Sequence, residues 1–195
     1  MKLIIDEDKK KTKLPKVMKA AIKLFNKKGI DGTTIKDIAR AADVSEGALY
    51  RHFKGKDELA WHIFTTNLHE FSLNLSKYIE QEKTSLDKIR AFVSFCFESF
   101  EKEKDLFTYL ILSEHRELDK FPDSNIHPGH VAMKIVEDGQ KTGELKKMDV
   151  FIAGSIIVGS LVRICIVKIC GRLEKELNNY KEEVAISIWK ALKND

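Results

Sequence analysis

Proline and cysteine are scarce in this 195-residue chain, at three residues each, and there are only ten glycines. Three cysteines cannot make a disulfide framework for so long a chain. So few turn-forming residues argue against an all-β protein, whose many hairpins require them. The longest uninterrupted run of apolar or small residues, 150–162, has 13 positions and is followed by Arg163 and Lys168. A membrane-spanning helix needs about 20, and a central arginine costs at least ~2.5 kcal/mol. A buried helix is therefore expected there, and no membrane. The lysine-rich residues 1–15 lack the apolar stretch of a secretory signal, so a cytoplasmic address is expected.

What is present is a 43% apolar chain, enough for a real core and too much for a disordered one. Charge is unevenly spread. Residues 1–60 carry 15 Lys and Arg against 9 Asp and Glu, while residues 61–195 carry 19 against 21. A basic first third on a nearly neutral remainder suits contact with a polyanion, although lysine-rich tails also serve merely to solubilise.

The apolar spacing is helical throughout, and an all-α fold follows. Residues 1–13 read as a flexible basic arm. Pro15 sits where a helix can start, and Val17, Ala20, Ala21, Leu24 and Phe25 follow at helical spacing to a left-handed cap at Gly29. Thr34, with Asp37 three residues on, opens a second helix whose buried stripe is Ile35, Ile38, Ala39 and Ala42. Asp43 suits a left-handed turn, and Ser45 is a good N-cap for a third helix of about seven residues, to Phe53. A fourth, longer helix starts at 56. Helices are expected over 86–101, 105–116, 131–142, 149–170 and 173–192, with an irregular stretch at 118–130.

Residues 34–53 have the spacing of a helix-turn-helix, in which the second helix lays its first side chains in the major groove. Gly47 and Ala48 are small enough to let it lie deep. Tyr50, Arg51 and His52 reach towards phosphates or base edges, and Lys54 and Lys56 lie where a phosphate meets the next helix start. Leu49 and Phe53 face inward. Glu46 accepts from a cytosine amine or simply favours the helix dipole.

Ala21, Leu24, Phe25, Gly29, Thr33, Thr34, Asp37, Ile38, Ala39, Val44, Ser45, Gly47, Leu49, Tyr50, His52, Phe53, Lys56 and Leu59 together resemble the N-terminal domain of TetR/AcrR-type transcriptional regulators. Asp43 departs from the glycine usual at the turn. The resemblance implies a homodimer that binds double-stranded DNA at a palindromic operator. It implies a DNA-binding domain over residues 14–55 and a ligand-binding and dimerisation domain over 56–195. By position, Thr34 and Lys36 would touch the DNA backbone, Ser45, Glu46, Gly47, Ala48, Tyr50, Arg51 and His52 would face the groove, and Lys56 would hold a phosphate.

The body is read more coarsely. Phe92, Phe95, Cys96 and Phe100 share a helix face, near Trp61, Phe64 and Tyr109 if the bundle closes as expected. Such a stripe is core, or it lines a cavity for a small apolar inducer. Residues 149–170 and 173–192 together form half of a two-fold bundle, with Ile156, Gly159, Leu161, Ile186 and Trp189 expected at a dimer interface. No cofactor and no metal are expected, since no histidine pair combines one-turn spacing with carboxylates. Cys96, Cys165 and Cys170 read as small hydrophobes rather than redox sensors. No nucleophile–base pair points to an enzyme, including Glu114-His115-Arg116. The standing alternative is a dimeric helix-turn-helix protein whose body binds a protein partner, or only dimerises, without a small inducer.

Overall fold

The structure is a computed structural model that describes residues 13–117, 120–122 and 125–194. Of the expected arm only Lys13 lies among them, and part of the stretch at 118–130 also lies outside. The side chains of His115 and Arg116 do too. Every element among the described residues is helical apart from one isolated antiparallel bridge between Leu145 and Lys193. The helices are α1 (Leu14–Lys28), α2 (Ile35–Ala42), α3 (Glu46–Tyr50), α4 (Lys56–Ile79), α5 (Ser85–Lys102), α6 (Lys104–Glu117), α7 (Pro128–Thr142), α8 (Val150–Ile169) and α9 (Lys181–Leu192).

Two compact units emerge: Met1–Asn67 with Asp105–Phe121, and Leu68–Lys104 with Pro122–Asp195. In the first, α1 buries Val17, Met18, Ala21, Ile22 and Phe25, and α2 buries its predicted stripe of Ile35, Ile38, Ala39 and Ala42. Each of these side chains larger than alanine contributes about 1.5–3 kcal/mol when removed from water. The beginning of α4, to Asn67, and α6 from Asp105 onward join this head. Tyr109 of α6 stacks obliquely on Phe25, with ring centroids 5.7 Å apart, and its hydroxyl donates to the Ala60 carbonyl at 2.7 Å. Asn26 of α1 donates to the Asp105 carbonyl at 2.8 Å.

In the second unit, α5 packs on α9 and α7 on α8. Arg90 forks onto Glu182 and Lys181 pairs with Glu98, so α5 and α9 are clasped by charge at two points. Glu144 accepts the Ser85 N–H at 2.6 Å and thereby satisfies a donor at the start of α5. Gly139 has to be glycine: an added Cβ would lie 2.5 Å from Ser85 Oγ and 2.6 Å from the Leu145 side chain.

Three local expectations are corrected. Gly29 has a positive φ of 75° as expected, but ψ of 166° puts it in the extended region open to glycine rather than in a left-handed helical cap. The third helix stops after five residues at Tyr50, so Arg51 and His52 stand in the turn beyond it. The ninth helix begins at Lys181, not at 173. Lys168 Nζ donates to the carbonyls of Leu173, Glu174 and Lys175, and a 3-10 turn, Leu177–Tyr180, intervenes. A lysine holding three consecutive carbonyls removes them from a helical ladder.

The start of α7 is held by imidazoles. His127 Nδ1 accepts the Gly129 N–H at 3.1 Å, and His130 Nδ1 accepts the His127 N–H at 3.4 Å. Burial, and then the neighbouring His130, hold the His127 pKa down to about 4, below its ordinary 6.5. Between those values the unfolded chain binds the proton and the folded one does not, so stability is full above pH 6.5 and falls as pH drops towards 4. His127 is half-exposed, so the loss is expected to be about 1–2 kcal/mol after allowance for solvent screening. Urea denaturation at pH 7 and pH 4.5, on the wild type and on His127→Gln, checks it. The variant is expected to lose less on acidification, and an equal loss would contradict this role.

Candidate nucleic-acid interface

The head presents α3 through local chemistry that the sequence carries openly. Thr34 Oγ1 accepts the Asp37 N–H, and the Asp37 carboxylate accepts the Thr34 N–H, each at 3.1 Å, closing a reciprocal cap on α2. Lys28 Nζ lies 2.8 Å from the same carboxylate. That hydrogen bond from Lys28, followed by those from the Thr34 side chain and backbone, lowers the Asp37 pKa to about 2. Asp37 thus stays ionised and ties α1 to the start of α2.

Asp43 takes the left-handed conformation, φ 54° and ψ 55°, the sole positive φ outside glycine among the described residues. The turn geometry therefore survives the absence of glycine, at a cost of order 1 kcal/mol. Its N–H bonds back to the carbonyls of Ala39 and Arg40. Ser45 Oγ then accepts the Ala48 N–H at 3.2 Å and starts α3. Leu49 and Phe53, 2% and 5% exposed, anchor α3 to the head.

With those two side chains inward, the rest of the segment faces out. Ser45, Glu46, Gly47, Arg51 and His52 are exposed, Ala48 is half-buried, and Tyr50 is 56% exposed. An aromatic ring that open to solvent is not a core residue, so Tyr50 is not part of the head's core. Thr34, Lys36 and Lys54 are exposed as well.

Lys56, expected to hold a phosphate, is half-buried. Its Nζ donates to the Asp31 carbonyl at 2.9 Å and so braces the α1–α2 turn against α4. Two ammonium protons remain for another acceptor. At the same helix start Glu58 accepts the Lys54 N–H at 2.5 Å, so a carboxylate already fills the anion position there.

One residue of this face was assigned to the arm and missed. Lys13 stands at the first turn of α1, and its Nζ donates to the Asp43 carbonyl at 3.3 Å. Its place two residues before Pro15 was the available signal, since a helix beginning there fixes the preceding residue as well.

The expected pocket residues are divided between the two units. Trp61, Phe64 and Tyr109 belong to the head unit, and Phe92, Phe95, Cys96 and Phe100 to the other. Phe64, Phe92, Phe100 and Tyr109 are at most 2% exposed. Phe64 meets Trp61 and the edge of Phe121, whereas Phe95 lies 5.4 Å from both Phe71 and Tyr78. Burial, and then the Glu101 charge, pushes the Cys165 thiol up to about 12, and burial, and then Cys165, raises Cys96. Neither is a reactive thiolate at neutral pH. Among the described residues no cluster of three or more histidine, cysteine or acidic side chains is placed to hold a metal.

The expected interface residues divide between faces. Leu161 is 4% exposed inside its own protomer, which takes it out of any surface contact. Ile156, Ile186 and Trp189 are half-buried and Gly159 is exposed. Ile156 lines an apolar groove of about 430 Å³ between α8 and α9, with Ser160, Ile164, Leu173 and Ile188. Phe151 and Ile152 project from the start of α8 at 71% and 58% exposure. Only 28% of the most apolar 18-residue window of α8 is buried within this one chain. Its length and apolarity alone would also suit a membrane crossing.

Comparison with known proteins places these features. A model of the tetR family of bacterial regulatory proteins matches residues 17–62. The HTH-type transcriptional regulator YerO of Bacillus subtilis is 33% identical over 56% of this chain, and the match spans 40% of YerO. The HTH-type transcriptional regulator YhgD of the same organism is 30% identical over 68% of this chain and 72% of its own length. Among solved structures, the transcriptional regulator FadR from Bacillus subtilis in complex with stearoyl-CoA superimposes with a TM-score of 0.74, at 19% identity, over 89% of this chain and 96% of FadR.

Proposed function

The chain belongs to the tetR family of bacterial regulatory proteins, a DNA-binding transcriptional regulator and not an enzyme, and from that premise we propose a homodimeric repressor released from a palindromic operator by a small apolar ligand. The observation that carries the reading is α3, pinned by Leu49 and Phe53 while Tyr50, Arg51 and His52 stay in solvent. In this reading residues 14–55 bind DNA, and residues 56–195 bind the ligand and the second copy. Two heads read one operator only when their recognition helices lie about one DNA turn, ~34 Å, or a multiple apart.

The groove between α8 and α9, with the exposed Phe151 and Ile152, supports the dimer, because so much apolar surface left in water by one chain is covered at low cost by its copy. The ligand prefers a different head separation from DNA, and it weakens operator binding by that preference, typically ~1–3 kcal/mol. FadR's complex with stearoyl-CoA makes acyl chains the first class to test.

Stearoyl-CoA or a free fatty acid at 100-fold above its Kd is expected to stabilise the protein by ~2.7 kcal/mol in thermal unfolding. It is also expected to release a bound duplex containing the chain's own upstream region. Absence of both effects with every apolar candidate favours a body that only dimerises or binds a protein.

A further inference from the structure

Helix α1 begins without a side-chain cap. Its first bonds are taken by the Lys13 carbonyl, which accepts the N–H groups of Lys16 at 3.1 Å and Val17 at 3.2 Å. The backbone of Lys13 is thereby fixed to α1, and its side chain crosses to the Asp43 carbonyl, 30 residues on. Asp43 is a residue that gains from being held, because it ends α2 in the left-handed conformation without being glycine. Its N–H already bonds back to α2, and the Val44 N–H returns to the Ala39 carbonyl at 3.0 Å. That leaves the Asp43 carbonyl as the group by which the turn is tied to another helix. An ammonium at this place also meets the negative end of α2.

The packing around α3 gives such a tie its importance. A notch of about 370 Å³ opens between Leu14 and Val17 of α1 and Val44, Ala48 and Phe53 of the segment that carries α3. Side chains that border open space resist displacement less than close-packed ones. On this side α3 is therefore set less by apolar contact than by the turn from which it springs, three residues after Asp43. We propose that Lys13 is a positioning residue for DNA recognition, holding the Asp43 carbonyl so that the left-handed turn fixes the angle at which α3 leaves α2. Lys13 acts through Asp43, and it offsets part of the strain of a turn that lacks glycine. The inference rests on α3 being the helix that reads DNA.

The test is a double-mutant cycle in the full chain. Lys13→Met keeps the stem and drops the ammonium, and it is combined with Asp43→Gly, which relieves the turn. Binding is measured by fluorescence anisotropy on a duplex selected by the wild type from a random pool and on a scrambled one. Lys13→Met is expected to weaken the selected duplex about three- to tenfold and the scrambled one by less than about twofold, with Lys13→Arg restoring both. In the Asp43→Gly background the same change is expected to cost less than about twofold. In the free protein, hydrogen exchange at the Val44 and Ala48 N–H groups is expected to be about three- to tenfold faster in Lys13→Met, and to return towards wild type in the double variant. A lysine that merely touched phosphate would weaken both duplexes alike, in both backgrounds, and leave exchange unchanged. That pattern overturns the proposal, and so does unchanged binding. If the wild type selects no duplex, the DNA reading of α3 fails instead, and the exchange rates still decide whether Lys13 holds the turn: equal rates sink it.

Discussion

Replacing Arg51 by alanine is expected to weaken operator binding by about 1–3 kcal/mol per head, and by twice that in a dimer, while leaving unfolding and subunit mass unchanged. The guanidinium is exposed just beyond α3 and makes no ion pair within the described residues, so its removal costs the fold nothing. What it offers DNA is either a two-pronged contact with a guanine edge or a charge beside a phosphate. The two roles separate experimentally. If Arg51 reads a base, Arg51→Ala narrows the gap between selected and scrambled duplexes, and Arg51→Lys, which keeps charge but loses the fork, narrows it too. If it holds a phosphate, both duplexes weaken alike and the salt slope falls by about 1 per head. Anisotropy titrations over a salt series give both numbers. Unchanged affinity on the selected duplex would remove Arg51 from the interface, and with it the proposal that this end of α3 enters the groove.

The head was the readable part of this chain because its determinants are local. Thr34 with Asp37, Asp43 in its left-handed turn and Ser45 at the next cap each act within four residues, and each is found where the sequence put it. Elements whose fate depends on distant partners were not readable in the same way. Tyr109 looks like any aromatic on an amphipathic helix, and only contacts distant in sequence, its hydrogen bond to the Ala60 carbonyl, its ring against Phe25 and the bond from Asn26 to the Asp105 carbonyl, assign α6 to the head. Leu173 and Leu177 continue a helical spacing, but the Lys168 ammonium takes the carbonyls that a helix would need. On α8 apolar residues run all round the helix, so periodicity could not tell Leu161, which turns inward, from Ile156, which does not. The aromatic stripe of α5 was ambiguous for a related reason, since the pattern that fills a core also lines a cavity.

That ambiguity on α8 makes Ile156→Glu the most informative change in the body. The side chain is half-buried on the wall of the α8–α9 groove, so a carboxylate there still reaches solvent in a single chain and the protomer is expected to fold. In a dimer closed over this groove the same carboxylate is buried, opposite its own copy if the two-fold axis runs nearby, and an unpaired buried charge is too costly to keep. Sedimentation is expected to move from about 45 kDa, twice the 22.4 kDa chain, to that of one chain. Operator affinity is then expected to drop by about 10²–10⁴, although residue 156 touches no DNA, because two linked heads gain that much from binding together. A duplex carrying one half-site distinguishes this from damage to the head: the variant binds it as wild type does if only avidity is lost. A variant that stays dimeric at micromolar concentration would move the interface off this groove, and one that loses the half-site as well would mean that the substitution reaches α3 through the fold.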